Sequence, residues 1–441
     1  MSHFNPAITF VRPLLFLAAC GFVHANEALD VLEGKKKAED ISLPPVPEGV
    51  ETVTPKDTYA PPAWAPGPLD AVWSRAVLFA DEKNPYIQQL AITGFFDFRA
   101  AFGEVNVDGV GATESRSIDA DGTRTRRARL GARMRAFGNT DIEANAEFAG
   151  DSEYSGIERL SARTKISENT TVTYGKFRPT FTTEYSTESQ SLPTPERSML
   201  VNMIAPSRTL GIQFERATHG WKYGVGWFSG DTDPNIPGID GNGFLAFNAS
   251  RTFIEPAGKS NMRGRWHIDY INNMDGSGSQ SVPRYHVEGR RSANGNQLVA
   301  SNPSFRHLFS TGVTLEQDRF TFMSDFMIGK GDNNAWGLTV SPTYWVVPGT
   351  VKLVARYHYA ESDDAGGLIT TMGTSGDPYY DDSPFYIGNE YHSFYLGANL
   401  HLYQDQLLLM SGLEYNTLKD ESGGGFDTDA WIWHTGARVS F

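Results

Sequence analysis

Residues 124–137 read Arg-Thr-Arg-Arg-Ala-Arg-Leu-Gly-Ala-Arg-Met-Arg-Ala-Phe, and these arginines are the side chains best placed to do chemistry. A guanidinium stays charged at physiological pH and offers paired donors that match carboxylate or phosphate in two-pronged geometry. The chemistry is therefore recognition of anions, with no bond made or broken. In an extended strand alternate side chains share a face. Arg127, Arg129, Arg133 and Arg135 then line one side, with Gly131 among them, while Ala128, Leu130, Ala132 and Met134 take the other. At ~3.3 Å per residue the four cations cover roughly 27 Å of strand, about the height of a hydrocarbon core. Such a strand fits the wall of a transmembrane barrel, apolar toward lipid and polar toward a water-filled lumen.

Other cations fall on strand faces of the same sense: Arg99, Arg159, Arg163, Lys165, Lys176, Arg178, Arg263, Arg265, His267, Arg284, His286 and Arg290. The whole chain nevertheless carries a formal charge of -14, which excludes a general nucleic-acid binder. It also counts against an anion pore unless the charges are segregated. They are: between Glu361 and Glu390 lie five further acids and no Lys or Arg, and residues 26–90 lean acidic as well. The acids thus sit largely on loops and a tether, leaving a basic lumen that concentrates counter-ions. Glu143 and Glu147 lie on the following strand and on the same face by parity. They are positioned to pair with the arginines and set a transverse field.

No apolar run reaches the roughly eighteen residues of a spanning helix. A mean hydropathy of -0.37 averages over alternation and so does not argue against a membrane. From Leu90 onward, alternating segments separated by turn residues number about sixteen, an even count as bacterial barrels require. They fall near 90–101, 124–137, 140–148, 159–166, 172–178, 208–217, 220–230, 262–271, 284–290, 305–317, 319–328, 335–346, 350–360, 391–402, 405–418 and 429–441. Short links follow most even-numbered segments. The long ones, 102–123, 179–207, 231–261 and 361–390, follow odd-numbered segments. Short periplasmic turns alternating with long external loops are what an outer-membrane barrel shows. In the last segment Trp431, Trp433, Ala437, Val439 and Phe441 share a face, and a terminal amphipathic strand ending in Phe resembles the signal read by the bacterial barrel-assembly machinery.

Ahead of the barrel domain, residues 86–441, two segments are distinguished. Residues 1–25 have the charged, apolar and small-residue regions of an export signal, with cleavage after Ala25. Leu17-Ala18-Ala19-Cys20 offers a competing lipoprotein reading. Residues 26–85 are Pro-rich and charged, the composition of a periplasmic tether. Within it, Leu69 to Ala80 could form a short helix that sets Val72, Trp73, Ala76 and Leu78 on the barrel mouth.

Enzymatic readings find little support. His267, His286, His358 and His401 sit on separate strands, and no Gly-x-Ser-x-Gly elbow is present. The acidic turns Asp119-Ala120-Asp121-Gly122 and Asp231-Thr232-Asp233 complete no calcium loop, and one cysteine, Cys20, supports neither a disulfide framework nor a multi-cysteine metal site. Neither a cofactor nor a metal is expected.

Four motifs in order carry a family resemblance: Arg126-Arg127-Ala128-Arg129-Leu130-Gly131, Tyr174-Gly175-Lys176-Phe177-Arg178-Pro179-Thr180-Phe181, Pro195-Glu196-Arg197-Ser198 and Ala205-Pro206-Ser207-Arg208-Thr209-Leu210-Gly211. Together they resemble the phosphate-selective porin O and P family over roughly residues 90–215, and the remainder only by barrel pattern. The resemblance implies an all-β, transmembrane antiparallel barrel of sixteen strands, a homotrimer of the bacterial outer membrane embedded in its lipid. It also implies a third external loop folded inward, here residues 179–207, with Glu184, Glu196 and Arg197 at the constriction. The family's phosphate selectivity relies on a lysine cluster, and Lys176 is the lone lysine in these motifs. Passage of small anions, phosphate or similar, is therefore the expectation. The alternatives are a general or neutral-solute porin and a non-conducting structural or adhesin barrel.

Overall fold

The structure, a computed structural model, describes residues 70–109, 116–148, 154–231, 233–239, 241–254, 262–274, 305–331, 333–364, 366–373, 385–420 and 426–441. The expected signal, Cys20, most of the expected tether and Arg284 lie outside them. Period-two alternation along the described chain produces one antiparallel sheet that closes on itself. Its wall strands are β2 (Ile87–Gly109), β4 (Gly122–Ala136), β5 (Thr140–Glu147), β6 (Gly156–Ser167), β7 (Thr170–Phe177), β8 (Thr209–Thr218), β9 (Trp221–Phe228), β10 (Phe244–Ile254), β11 (Arg263–Asn273), β12 (Phe305–Gln317), β13 (Phe320–Gly331), β14 (Asn334–Val347), β15 (Val351–Ser362), β18 (Glu390–Tyr403), β19 (Leu407–Lys419) and β20 (Phe426–Ser440). Each pairs with the next, and β20 returns to β2, with Phe95 opposite Ser440 and Gly109 opposite Phe426. Sixteen strands thus form the wall, as the alternation predicts.

The outward face carries a broad apolar band. Phe98, Leu130, Phe394, Leu396, Leu413, Trp431 and Trp433 expose between 46% and 67% of their surface, as side chains bathed in lipid must. A charge there has no partner and no water. Leu396→Arg, on the middle of β18, is expected to cost about 2–4 kcal/mol of barrel stability, read as a lower urea midpoint in refolded vesicles. A midpoint equal to the parent's would place this face away from lipid.

Two assignments differ from the sequence expectation. Residues 244–254, expected within a long link, form β10, while the expected segment at 284–290 lies outside the described residues. β2 likewise continues to Gly109 instead of ending near residue 101, and it pairs there with β3 (Arg116–Asp119). The cause is shared: inward residues of the external half are apolar. Val105, Val107, Phe228, Phe244, Ala246, Ile271, Leu308 and Met327 are fully or almost fully buried in one cluster inside the barrel. In β10 both faces are then apolar, Phe244 and Ala246 inward and Leu245 and Phe247 outward, and alternation vanishes; in β2 it survives inverted, with Val105 and Val107 inside and Glu104 and Asn106 outside.

That cluster includes parts of two external links. Residues 178–208 carry helices α2 (Thr183–Ser186) and α3 (Met199–Ile204), and Leu200, Val201, Met203 and Ile204 join the interior core. The link after β15 contributes a small hairpin, β16 (Leu368–Thr370) with β17 (Tyr386–Gly388), whose Leu368, Ile369 and Tyr386 pack in the same cluster.

At the other end residues 70–80 dock. α1 is limited to Asp70–Trp73, shorter than expected, and is followed by a 3-10 turn and by β1 (Val77–Ala80). β1 pairs with Gln89–Ala91 of β2, below the point where β20 runs out, and Trp73 donates its indole N–H to the carbonyl of Ser440 at 2.6 Å. The segment therefore covers the free edge left at the barrel's seam.

Candidate functional site: an arginine wall and the loop that meets it

β4 puts the arginines inward, with one change to their phase. Between Asp97 and Phe98 the register slips, so that Asp97 faces Arg127 and Phe98 faces Thr125. Arg126 is the extra residue of this bulge, and its side chain joins those of Arg127 and Arg99 on the inside. A second slip on β6 does the same for Glu158 beside Arg159. Gly131 is required for close strand approach: a Cβ there would lie 2.0 Å from the carbonyl oxygen of Ala144.

The inward charges form two networks. In the first, Asp97 lies 2.7 Å from Arg99, 2.7 Å from Arg127 and 3.5 Å from Arg438, while Glu196 of the loop lies 2.6 Å from Arg99 and 3.2 Å from Arg127 and also pairs with Arg126. Four guanidiniums therefore share two carboxylates. In the second, Arg129 pairs with Glu147 at 2.5 Å and Glu158 at 3.1 Å, Arg159 bridges Glu143 at 2.9 Å and Glu188 of the loop at 2.6 Å, and Arg208 pairs with Glu158. Here three guanidiniums meet four carboxylates, so the cationic excess belongs to the first network.

The remaining predicted cations are divided between structural bonds and open water. Lys176 donates to the carbonyls of Asp233, Pro234 and Asn235 at 3.0, 2.6 and 3.1 Å. Arg178 and Arg197 staple the loop to itself, Arg178 through the carbonyls of Tyr185 and Thr187 and Arg197 through those of Glu184 at 3.1 Å and Thr187 at 2.5 Å. Toward the short-turn end, Arg135 pairs with Asp141 at 2.9 Å and Arg163 stands 3.6 Å from Glu215. Arg133 and Arg265 are exposed and make no ion pair among the described residues. Arg263 starts the strand that carries Arg265.

Glu184 is buried with its carboxylate accepting from the Ser198 N–H at 2.9 Å and Oγ at 2.5 Å. Burial raises its pKa, against the pull of Arg356 and Ser198. On the far side of the loop, the N–H groups of Thr182, Thr183 and Glu184 donate to Asp269 at 2.9 Å and to Asp325 at 3.1 and 2.9 Å, with His267 standing between those two aspartates. Sequence reasoning did not single out Asp97, Arg126, Glu158, Glu188, Arg356 or Arg438 as site residues. Arg438 was visible by parity alone; the two bulges and the loop contacts are long-range outcomes.

Burial alone would raise the pKa of Glu196, but Arg126, Arg99 and Arg127 outweigh it and hold the carboxyl well below its usual range. A depressed carboxylate contributes stability above its unfolded value and loses it only as pH falls through the folded one. Glu196 should therefore keep its charge, with single-channel conductance and ion preference constant, between about pH 7 and about pH 5, above the ordinary glutamate range of about 4.3. A conductance step in that interval would contradict the pairing.

The family model described as phosphate-selective porin O and P matches residues 98–250, the region that carries the motifs. No curated protein matches the chain. Among solved structures it is similar to an anion-selective porin from Comamonas acidovorans (13% identity, 80% of this chain and 99% of that chain covered, TM-score 0.49). It is also similar to OmpF of Salmonella typhi in complex with daunomycin (12% identity, 83% and 100% covered, TM-score 0.48) and to the outer membrane channel DcaP of Acinetobacter baumannii (14% identity, 80% and 97% covered, TM-score 0.47).

Proposed function

We propose that this barrel, a porin of the bacterial outer membrane by its fold and its family match, prefers small anions. The observation that carries the reading is the first charge network, in which Arg99, Arg126, Arg127 and Arg438 share Asp97 and Glu196 at the place where the loop meets the wall. Glu196 keeps 31% of its side chain exposed there and Arg126 16%, so the surplus positive charge borders water. A passing anion finds a favourable potential between low-dielectric walls, and a cation an unfavourable one. Because most guanidinium forks are engaged by fixed carboxylates, an anion is attracted without being trapped, and passage needs such weak sites.

Exposed Arg133 and Arg265 would collect anions at the short-turn mouth. A tetrahedral oxyanion can take two parallel guanidinium N–H groups on two separate oxygens, whereas chloride offers them a single centre. Inorganic phosphate added to a channel carrying chloride in a planar bilayer should therefore lower the chloride current in a saturable way. Current independent of phosphate would remove oxyanions from the reading and leave a general anion pore.

A further inference from the structure

We propose that Arg356, Asn399 and Arg438 are positioning residues that set the constriction's width and ion preference by holding five consecutive backbone carbonyls of the loop. Arg438 donates from Nη1 to the oxygen of Leu192 at 2.6 Å and from Nη2 to those of Thr194 and Pro195 at 3.0 Å each. Asn399 donates from Nδ2 to Pro193 at 2.8 Å, and Arg356 from Nη1 to Glu196 at 2.6 Å. Every carbonyl from Leu192 to Glu196 is thereby taken by a donor on β15, β18 or β20.

The loop sequence suits this reception. Pro193 and Pro195 have fixed φ and no N–H, so the segment cannot curl into a helix that would use its own carbonyls. Its carbonyls instead require partners once they are buried. Meanwhile the carboxylate of Glu196 reaches the adjoining wall, where Arg99, Arg126 and Arg127 receive it. The segment is therefore stretched across consecutive strands from β15 round to β4, its backbone tied at one side and its charge at the other.

The template itself is braced. The second arm of Arg356 lies 2.9 Å from Glu414, which also accepts from Ser393 at 2.6 Å. Side chains of Arg356 and Arg438 are 4% and 1% exposed, too deep to touch a permeating ion, so they act through the loop. Their effect on ions is where they place Glu196: held against the wall, it neutralises part of the cluster, and released, it leaves that positive charge bare.

This inference rests on the channel reading above, and planar bilayers test it through differences from the parent channel. Folding of each variant is checked first by heat-modifiable electrophoretic mobility. Arg438→Met should raise single-channel conductance about twofold or more, because the loop is freed to swing in the lumen. Arg438→Lys should recover part of the parent's value, since one ammonium can satisfy some of the three carbonyls. Asn399→Leu, which alters no charge, should move the zero-current potential further toward the anion limit. Folded Arg438→Met and Asn399→Leu channels that both keep parental conductance and potential would overturn the proposal. Should Arg438→Met fail to assemble, Asn399→Leu decides alone by the same criterion. The parent's own sign of zero-current potential judges anion preference separately, so the two failures remain distinct.

Discussion

Replacing Asp97 by asparagine is expected to cost the barrel about 3–5 kcal/mol, the price of breaking a buried ion pair from one side. The carboxylate is 1% exposed and sits 2.7 Å from both Arg99 and Arg127, with Arg438 at 3.5 Å. Asparagine keeps the shape and removes the charge, so three guanidiniums are left with Glu196 as their sole neighbouring counter-charge in the first network. Two of these guanidiniums are almost wholly excluded from water and cannot be hydrated in place. The measurement is the denaturant midpoint of the refolded barrel, or the temperature at which its folded band is lost on a gel. A variant as stable as its parent would mean that the inward charges are solvated and that the network is not a buried one.

The second large effect concerns the loop's own acid. Glu196→Gln should leave the loop seated, because its backbone is held from Leu192 to Glu196 independently of that carboxylate. What changes is the potential. A unit charge about 4 Å from a permeating ion is worth about 1 kcal/mol even in bulk water. Its removal favours an anion and disfavours a cation, so the anion-to-cation permeability ratio should rise roughly tenfold after screening. Conductance that rises with an unchanged ratio would indicate that Glu196 acts as an obstacle and not as a charge.

Much of the barrel is legible in the sequence because lipid imposes a simple rule on the outer face. Phe96, Phe98, Leu130, Leu396, Trp431 and Trp433 are apolar at period two whatever lies inside, and turn residues mark the ends. The inner face obeys no such rule. Where it is charged, as at Arg127, Arg129 and Glu147, alternation is sharp. Where it joins the interior cluster with α3 and the β16–β17 hairpin, as at Phe244 and Ala246, it is as apolar as the outside, and strand and link read alike.

The site was half legible for a related reason. The arginine-bearing stretch is local, but partners are not: Asp97, Glu196 and Arg438 meet Arg127 or Arg99 from other strands and from a loop some seventy residues away. The bulge that turns Arg126 inward leaves no mark in composition. Reading parity straight through residues 124–137 therefore assigns Arg126 to the lipid side, whereas in the fold it pairs with Glu196.

In the proposed channel, surplus guanidinium charge where loop and wall meet sets the ion preference. Zero-current potential across a planar bilayer holding the unaltered protein in a potassium chloride gradient tests it most directly. The potential should take the sign of chloride permeating faster than potassium, and it should shrink toward zero in Arg126→Gln, which removes the most exposed cation of the cluster. A potential of the opposite sign, or none at all with the channel open, would contradict the account.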